Sequence, residues 1–337
     1  MTPEYVGIDL HRRRSVIVRM SPDGEQLSTV KIDNDPIALA EAIAPAGPNP
    51  HVVVEATYGW YWAADVLEEC GAQLHLAHPL GMKGITSNRR VKNDVRDAVL
   101  LADLLRLGSL PEAWVAPPAT RELRELVRYR TKLVNMRSSL KCQAHAVMAK
   151  EGILPTHSDM FGPAGQAALD EMPLGRAYTI RMESLRDLME SYDAQVSMLE
   201  REIHGQLKDH AGYRAIQAID GVGRVFGAIF VAEIGDVSRF SGPEKLCSWA
   251  GLTPKHRESD TTIHRGSITK QGSKLVRWAA IEAVAKRRGG PKLRADFHRI
   301  AERRGKPKAR VAVARRLLSL VYYGLRDGEI RCLAETS

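Results

Sequence analysis

Apolar residues in the first hundred positions come in short runs separated by turn residues, which predicts strands and helices in alternation. The runs "YVGIDLH", "SVIVRM" and "LSTVKI" predict three strands of a meander, with "SPDGEQ" as the turn into the third. After an Ala-rich helix, "HVVVEAT" is a β-branched run of the kind that forms a buried strand. This order of elements indicates an α/β unit.

The unit continues with a helix ("GWYWAADVLEEC"), a strand ("QLHLAHP") and an amphipathic helix within "VKNDVRDAVLLADLLR". Asp94 and Asp97 lie on one face of that last helix, because residues three apart are neighbours on a helical surface. Aspartates are also favoured at a helix N-terminus by capping and by the helix dipole. A site would therefore need further carboxylates from elsewhere in the chain.

Helical periodicity dominates the middle of the chain, from about Pro118 to His210, with a break near "ILPTHSDMFGPAGQ". The later half has apolar residues at alternating spacings of four and three, which is a heptad seam. They are Tyr178, Met182, Leu185, Met189, Tyr192, Val196, Leu199 and Ile203. The earlier helix repeats this rhythm at Leu126, Tyr129, Leu133, Met136 and Leu140. The two helices are expected to pair either as an antiparallel hairpin within one chain or between chains.

Two glycines, Gly221 and Gly223, separate apolar helical patterns in "IQAIDGVGRVFGAIFVAEIGDVSRF". This arrangement predicts a helix-hairpin-helix whose exposed backbone amides can bind a phosphate. The patterns together divide the chain into residues 1–112, an α/β domain, 113–210, a helical coiled-coil region, and 211–337, a mainly α-helical domain. The fold class is therefore α/β plus α.

Composition is that of a folded globular protein, with 44% hydrophobic and 26% charged residues in 337. Neither a bilayer-spanning apolar run nor a secretory signal is recognised, so a cytoplasmic protein without membrane association is expected. The net charge of +9 is concentrated: the segment from Lys286 to Arg316 holds thirteen Lys or Arg against two acids. Such density favours a polyanionic partner such as nucleic acid. Arg124, Arg128 and Lys132 at helical spacing suggest further phosphate contacts.

Carboxylates end two of the predicted strands: Asp9 follows "YVGI" and Glu55 follows "HVVV". Since polar strand ends line the ligand crevice of α/β sheets, these acids, with Asp94 and Asp97, form a candidate set. Clustered carboxylates repel unless a divalent cation neutralises them, and oxygen ligands suit Mg²⁺ or Mn²⁺. Two such ions can support phosphoryl transfer. A kinase or ATPase is disfavoured, because no phosphate-binding loop or kinase signature is present.

Hydroxyls and cations are mixed in the segment from Ser248 to Trp278. Ser259, Ser267 and Ser273 occur there among Arg265, Lys270, Lys274, Arg277 and other basic residues. These hydroxyls either bind phosphates or include a nucleophile, because nearby positive charge stabilises an alkoxide and the phosphoryl group it attacks.

The chain resembles the IS110-family transposases over nearly its whole length. "YVGIDLH", "VVVEATYGWYW" and "VKNDVRDA" are similar to blocks of that family's DEDD, RuvC-like domain. "IQAIDGVG", "VAEIGDVSRF", "WAGLTPKHRESD" and "RGSITKQGSKLVRWAA" are similar to blocks of its C-terminal transposase domain. Seven matches in order are far more specific than any single motif.

The resemblance implies a RuvC-like ribonuclease H fold at the N-terminus, a coiled-coil middle and a C-terminal domain that supplies a serine. Asp9, Glu55, Asp94 and Asp97 match the acidic tetrad, and Ser259 matches the serine, although Asp260 stands where glycine is usual. Ser267 is the substitute nucleophile, but "RGSITK" favours a phosphate-contacting turn. The implied activity is excision and insertion of an insertion sequence by metal-assisted strand exchange through a serine–DNA link.

The implied partners are double-stranded DNA at the element ends, junction and target, and a structured noncoding guide RNA. Concerted cutting of several strands leads us to expect a homodimer or a dimer of dimers. Two other functions are consistent with the residues. One is a RuvC-like nuclease or junction resolvase that uses water, and the other is an inactive relic that only binds nucleic acid.

Overall fold

Strands are concentrated in the first third of the chain and helices form most of the rest. The computed structural model describes residues 4–86, 93–259, 262–287 and 291–333, without the side chains of residues 86, 257, 259, 262–265, 286 and 287. The chain divides into two units, Met1–Ala116 and Pro117–Ser337, each with its own core.

The first unit is built on a mixed sheet of six strands. They are β1 (Tyr5–Leu10), β2 (Arg14–Met20), β3 (Gln26–Asp33), β4 (His51–Glu55), β5 (Gln73–Ala77) and β6 (Glu112–Ala113), in the spatial order β3-β2-β1-β4-β5-β6. The first three form the expected antiparallel meander, β4 is parallel to β1, β5 is parallel to β4, and β6 is antiparallel to β5. The carboxyl ends of β1 and β4 therefore meet at one edge of the sheet.

Helices cover both faces of this sheet. They are α1 (Pro36–Ile43), α2 (Trp60–Glu69), α3 (Pro79–Thr86) and α4 (Asp94–Arg106). Val52 and Val54 of β4 pack with Leu39 of α1 and Leu67 of α2, whereas Val53 packs on the opposite face with Leu101 of α4. The alternation follows from the two-residue period of a strand, and explains why "HVVVE" is apolar at every central position.

The second unit begins with two long helices that form an antiparallel hairpin. α5 (Pro118–Lys150) and α7 (Arg176–Leu207) flank α6 (Pro163–Asp170), which lies in the predicted break. Arg130 of α5 pairs with Glu200 of α7 at 2.5 Å, and Arg137, farther along α5, pairs with Asp193, earlier in α7. Six of the predicted seam residues of α7 are buried, Tyr178 and Tyr192 are partly buried, and the apolar residues Leu188 and Met198 outside the seam are exposed. The six are Met182, Leu185, Met189, Val196, Leu199 and Ile203. The pairing of α5 with α7 is therefore made within one chain.

The predicted apolar seam of α5 is wrong at two positions. Tyr129 and Met136 are exposed, whereas the predicted Leu133 is buried. The other buried apolar residues of α5 lie outside the predicted seam: Leu123, Val127, Ala144, Val147 and Met148. The physical reason is that the N-terminal half of α5 packs against α9 (Arg224–Ile234) as well as α7. A helix with two partners buries a broader and differently oriented face than one heptad stripe.

The rest of the second unit surrounds α9, whose residues from Phe226 to Ile234 are all buried and, apart from Glu233, apolar. Its other elements are α8 (Ala211–Ile216), α10 (Pro243–Trp249), β7 (Pro254–Ser259), β8 (Thr262–Ile268), α11 (Lys274–Arg287), α12 (Pro291–Arg304) and α13 (Lys306–Asp327). β7 and β8 form an antiparallel hairpin. The turn predicted for "RGSITK" is wrong, because the chain stays in β8 through Ile268 and turns only after it.

The mixed α/β sheet at the N-terminus and the helical character of the remainder are confirmed. Three domains, a coiled-coil region and a helix-hairpin-helix remain predictions. Within the described ranges, no helix combines the length and the apolar character needed to cross a membrane.

Candidate active site

Asp9 and Glu55 lie at neighbouring strand ends. Asp9 is the penultimate residue of β1 and Glu55 is the last residue of β4, and the parallel register pairs Ile8 with Val54 just before them. The two parallel strands are in register, so Asp9 and Glu55, which follow the paired residues, lie side by side at the carboxyl end of the sheet. The sequence prediction that these two acids lie close together along the sheet edge agrees with this register.

Asp94 and Asp97 occupy the first turn of α4, which is capped by Asn93 through a 3.0 Å hydrogen bond from the amide of Val95 to Oδ1 of Asn93. This helix lies very close to β1. A Cβ atom added to Gly7 would overlap the carbonyl oxygen of Ala98 and would lie 2.7 Å from the amide nitrogen of Ala102. Small residues on both elements thus bring the first turn of α4 toward Asp9.

His11 joins two of the acids. Its Nε2 atom lies 3.0 Å from Oδ2 of Asp9 and 3.4 Å from Oδ1 of Asp94. The ligand atoms of His11, Asp9 and Asp94 all fall within 4.8 Å of one another, which is close enough for one cation to contact all three. Sequence reasoning missed His11, although it ends the quoted block "YVGIDLH". Its position two residues after Asp9 was the available signal.

The electrostatics of Asp9 are unfavourable for its charged form. Burial raises the pKa of Asp9, the neighbouring His11 lowers it, and the charges of Asp97 and Asp94 raise it further. Its Oδ2 atom is buried and accepts no hydrogen bond of regular geometry from the described part of the chain, although it faces His11. A buried carboxylate oxygen that faces two other acids has the chemistry of a cation ligand, so the residues fit a divalent metal.

An open cleft of about 960 Å³ adjoins the acids. Its lining includes the acids Asp9, Glu55 and Asp97, the cations Arg12 and Lys83, and the aromatic ring of Tyr58. Asp94 does not line this cleft and is linked to the group through His11. Tyr58 is 78% exposed, so its ring is available to a ligand in the cleft. The cleft can take an anionic substrate beside a metal-binding group.

Ser259 lies in the second unit, at the end of β7, and pairs with Thr262 of β8. The described part of this residue is its backbone, and its side chain lies outside what the structure describes. The same holds for the side chain of Arg265, and Asp260 lies wholly outside the described residues. The candidate nucleophile is thus placed at the tip of a two-stranded hairpin.

The base of the β7–β8 hairpin is held by Arg277. Its Nη1 atom donates to the carbonyl oxygens of Ala250 at 2.8 Å and Gln271 at 3.0 Å, one on each side of the hairpin. Burial lowers the pKa of Arg277. A Cβ atom added to Gly272 would overlap the carbonyl oxygen of Trp249, so the two sides touch. Lys270 sits in the turn after β8 with a positive φ of 57°.

Arg124 and Arg128 bind the end of α9. Arg124 donates to the carbonyl oxygens of Ala232 and Glu233, and Arg128 donates to both carboxylate oxygens of Glu233, at 2.6 and 3.2 Å. The hydroxyl of Ser273 also donates a hydrogen bond to this carboxylate, at 3.0 Å. The same hydroxyl accepts a hydrogen bond from the amide of Val276, so Ser273 caps α11. Sequence reasoning missed Glu233, which lies in an otherwise apolar helix and is 5% exposed.

The remaining predicted nucleic-acid contacts lie on the surface of the second unit. Lys132 is exposed on α5, and Lys274 is exposed at the start of α11. Gly221, with a φ of 93°, and Gly223, the N-cap residue of α9, lie in the turn between α8 and α9. Whether any of these residues contacts a phosphate stays a prediction.

Comparison with known proteins identifies the family. An IS110-type DEDD model described as a transposase matches residues 6–151, and a model described as transposase, IS116/IS110/IS902 family, matches residues 213–299. The chain is 31% identical to y4qE of Sinorhizobium fredii, named as a transposase, over 60% of this chain and 50% of that protein. It is 24% identical to the "Probable family 20 transposase" of Pseudomonas aeruginosa, over 64% of each.

A third relative is matched along nearly all of both chains. It is the 44.8 kDa protein of insertion element IS116 from Streptomyces clavuligerus, which is 22% identical over 96% of this chain and 94% of its own length. The first two matches, by contrast, span about half and about two thirds of the relatives' own lengths. With both family models in order along one chain, the protein belongs to the IS116/IS110/IS902 family of transposases.

Proposed function

We propose that this protein is a DNA transposase that cuts and rejoins DNA strands to excise and insert an insertion sequence. The observation that carries the proposal is the convergence of Asp9, Glu55 and the first turn of α4 at one edge of the sheet. Family membership supports it, because both family models are described as transposases.

The fold of the first unit is proposed to be RuvC-like, of the ribonuclease H type. An antiparallel meander followed by parallel strands, with β1 central, supports this assignment. Asp9, Glu55, Asp94 and Asp97 would hold Mg²⁺ or Mn²⁺. A divalent ion in such a site supplies positive charge to the scissile phosphate and to the oxygens that attack and leave it.

The side chains of the cleft would position the substrate. Arg12 and Lys83 face the same cleft as the acids and would bind phosphates on either side of the reacting one. His11 would hold Asp9 and Asp94 in place, because one nitrogen atom lies within 3.4 Å of both carboxylates. Water in this cleft would compete with the proposed serine nucleophile.

Ser259 is the proposed nucleophile. Its hydroxyl oxygen would attack the phosphorus, the hydroxyl proton would pass to solvent, and the displaced strand would leave with a free hydroxyl group. One phosphodiester bond breaks and one forms, so a later attack by a free hydroxyl reverses the step without an external energy source. The hairpin base held by Arg277 supports a defined position for the serine.

Nucleic acid would bind the second unit mainly through phosphates. The proposed contacts are Lys132, Arg265, Lys270, Lys274, Arg124, Arg128 and Arg277, and the α8–α9 turn at Gly221 and Gly223 as a helix-hairpin-helix. Arg124, Arg128 and Arg277 already hold carbonyl or carboxylate groups of the protein, so exposed lysines are the better-supported contacts. Such contacts give affinity rather than sequence choice.

The proposed partners are double-stranded DNA at the element ends, junction and target, and a structured noncoding guide RNA. If RNA pairing selects the target, the protein contacts mainly backbone and shape. We also propose a homodimer or a dimer of dimers. The apolar seam of α7 is used within the chain, so the dimer contact must use another surface.

Hydrolysis by water at the same acids is the second candidate function. It is supported by the presence of all four acids in the first unit, which also supplies the residues that line the cleft. Such a nuclease would cleave DNA without a covalent intermediate. A protein that only binds nucleic acid would do neither.

A covalent-trapping experiment separates these functions. Labelled junction DNA, the element's noncoding RNA and Mg²⁺ are mixed with the full chain, quenched in denaturant, and any adduct is mapped by mass spectrometry. We expect label on Ser259, lost in Ser259→Ala and Asp9→Ala and retained in the matched variant Ser267→Ala. Cleaved DNA without an adduct would assign a water-using nuclease, and salt-sensitive binding without any product would remove both enzymatic proposals.

A further inference from the structure

A cavity in the second unit lies apart from every residue assigned above to catalysis. It has a volume of about 320 Å³ and is lined by residues of α5, α7, α8 and the first half of α9. This volume lies at the lower end of the range for small-molecule sites. Its inner surface is apolar, formed by Val127, Ile203, Ala228 and Ile229.

Positive charge surrounds the cavity. Arg130, Arg201 and Arg224 line it, with Glu200 as the acid among its lining residues. Glu200 is bound by Arg130 at 2.5 Å, so this pair is already neutralised. Within the described ranges, neither Arg201 nor Arg224 forms an ion pair, and both are exposed at the mouth. Two cations without acidic partners beside an apolar interior fit a ligand with an anionic end and an apolar body.

Two rings complete the wall. The Tyr213 side chain is buried, and its hydroxyl donates to the carbonyl oxygen of Arg224 at 3.2 Å. His204 lies beside it, with 6.1 Å between the ring centroids. The Tyr213 ring fits because residue 227 is glycine, whose added Cβ would lie 3.0 Å from that ring. The rings give a planar ligand both an aromatic surface and polar atoms.

We propose that this cavity binds one unpaired nucleotide of a nucleic-acid strand. Arg201 and Arg224 bind its phosphate, and the base enters the space between His204, Tyr213 and the apolar wall. A base taken out of a stack is held in proteins by aromatic and cationic groups of this kind. The choice of a nucleotide as ligand rests on the proposed function, in which the chain acts on nucleic acid.

The test is calorimetric titration of the full chain in EDTA, where metal-dependent cleavage cannot occur. The probes are deoxyadenosine 5′-monophosphate, deoxyadenosine and inorganic phosphate. We expect one nucleotide per chain, with each of the other two probes weaker by at least about tenfold, since each offers half of the contacts. Equal affinity for inorganic phosphate would overturn the proposal in favour of a simple anion site. No saturable binding up to about 10 mM would also overturn it.

Variants locate the binding. Ser197 lies at the mouth on the exposed side of α7, so Ser197→Trp should block entry without changing the core. Its matched control is Ser191→Trp, which is exposed on the same helix outside the cavity. Arg224→Gln should weaken binding by at least about tenfold, whereas Arg214→Gln, exposed on α8, should not. Unchanged binding in Ser197→Trp would overturn the proposed location, whatever the outcome of the covalent-trapping experiment.

Discussion

Replacing Gly7 by alanine tests whether close packing of α4 on β1 assembles the acidic site. The added Cβ would overlap the carbonyl oxygen of Ala98 and lie 2.7 Å from the amide nitrogen of Ala102. Ordinary contacts between such atoms are about 3.5 Å, so the helix must move by about 0.8 Å at Ala102 and by more at Ala98. Both obstructing atoms belong to backbone, which cannot rotate away.

Two effects follow from this displacement. Overpacking of a well-packed interface typically costs about 1–3 kcal/mol, so the first unit should unfold more easily by that amount. Asp94 and Asp97 are carried on the displaced helix, four residues and one residue before Ala98. Metal ligands must reach an ion at about 2.1 Å for Mg²⁺, so a shift of this size should also weaken cation binding.

The measurement combines hydrogen exchange of peptides from β1 and α4 with titration of Mn²⁺ followed by electron paramagnetic resonance. We expect faster exchange in both peptides and weaker Mn²⁺ binding in Gly7→Ala. The matched control is Gly84→Ala in α3 of the same unit, where an added Cβ meets nothing within 4 Å. Wild-type exchange and wild-type Mn²⁺ affinity in Gly7→Ala would refute the idea that this contact positions the acids.

Three further outcomes are expected. The pKa of Asp9 is raised in the folded state, so the folded state binds a proton more tightly than the unfolded state, and the charged Asp9 lowers stability above the ordinary carboxyl pKa of 3.8. In EDTA at pH 7, Asp9→Asn should therefore stabilise the first unit against urea, and the gain should vanish as the pH falls toward 3.8. In buffer without EDTA, the same variant should lose Mn²⁺ binding. Glu233→Ala should destabilise the second unit by about 1–3 kcal/mol in urea unfolding, because the hydrogen bonds that Arg128 and Ser273 donate to this buried carboxylate are lost; an equally stable variant would argue against the network. Tyr58→Ala should weaken binding of single-stranded DNA by about 1–3 kcal/mol in anisotropy titrations while Tyr58→Phe does not, and equal affinities of all three proteins would exclude stacking on this ring.

The strands and the acids at their ends could be predicted from the sequence because both depend on residues that are neighbours along the chain. "HVVVE" is apolar at three consecutive positions, since β4 is covered on both faces, and its polar end must reach the sheet edge. Asp94 and Asp97 are expected at the start of a helix whether they only stabilise its N-terminus or also bind a metal ion. Their approach to Asp9 depends on Gly7 and Ala98, and nothing in the sequence pairs these two small residues.

Features set by tertiary packing could not be predicted in this way. The heptad pattern of α5 predicts that Tyr129 and Met136 are buried, but both are exposed. The pattern does not reveal that α9 is a second packing partner of α5. Glu233 resembled an ordinary polar interruption in "VAEIGD", yet it is buried because Arg128 and Ser273 satisfy it. Arg124 and Arg128 looked like phosphate contacts, since a sequence shows their charge but not their carbonyl and carboxylate partners.

The acidic cluster lowers the folding stability of the first unit, and the packing beside the cluster raises it. Asp9 is desolvated and faces Asp94 and Asp97, so in the absence of a cation its charge opposes folding. Gly7, Ala98 and the apolar faces of β2 and α4 supply the contacts that hold those charges together. A cation that binds only the folded site would remove the repulsion and stabilise the unit by mass action. Stability of the first unit should therefore rise with Mn²⁺ concentration in the wild type and stay constant in Asp9→Asn, and a parallel rise in both proteins would place the ion elsewhere.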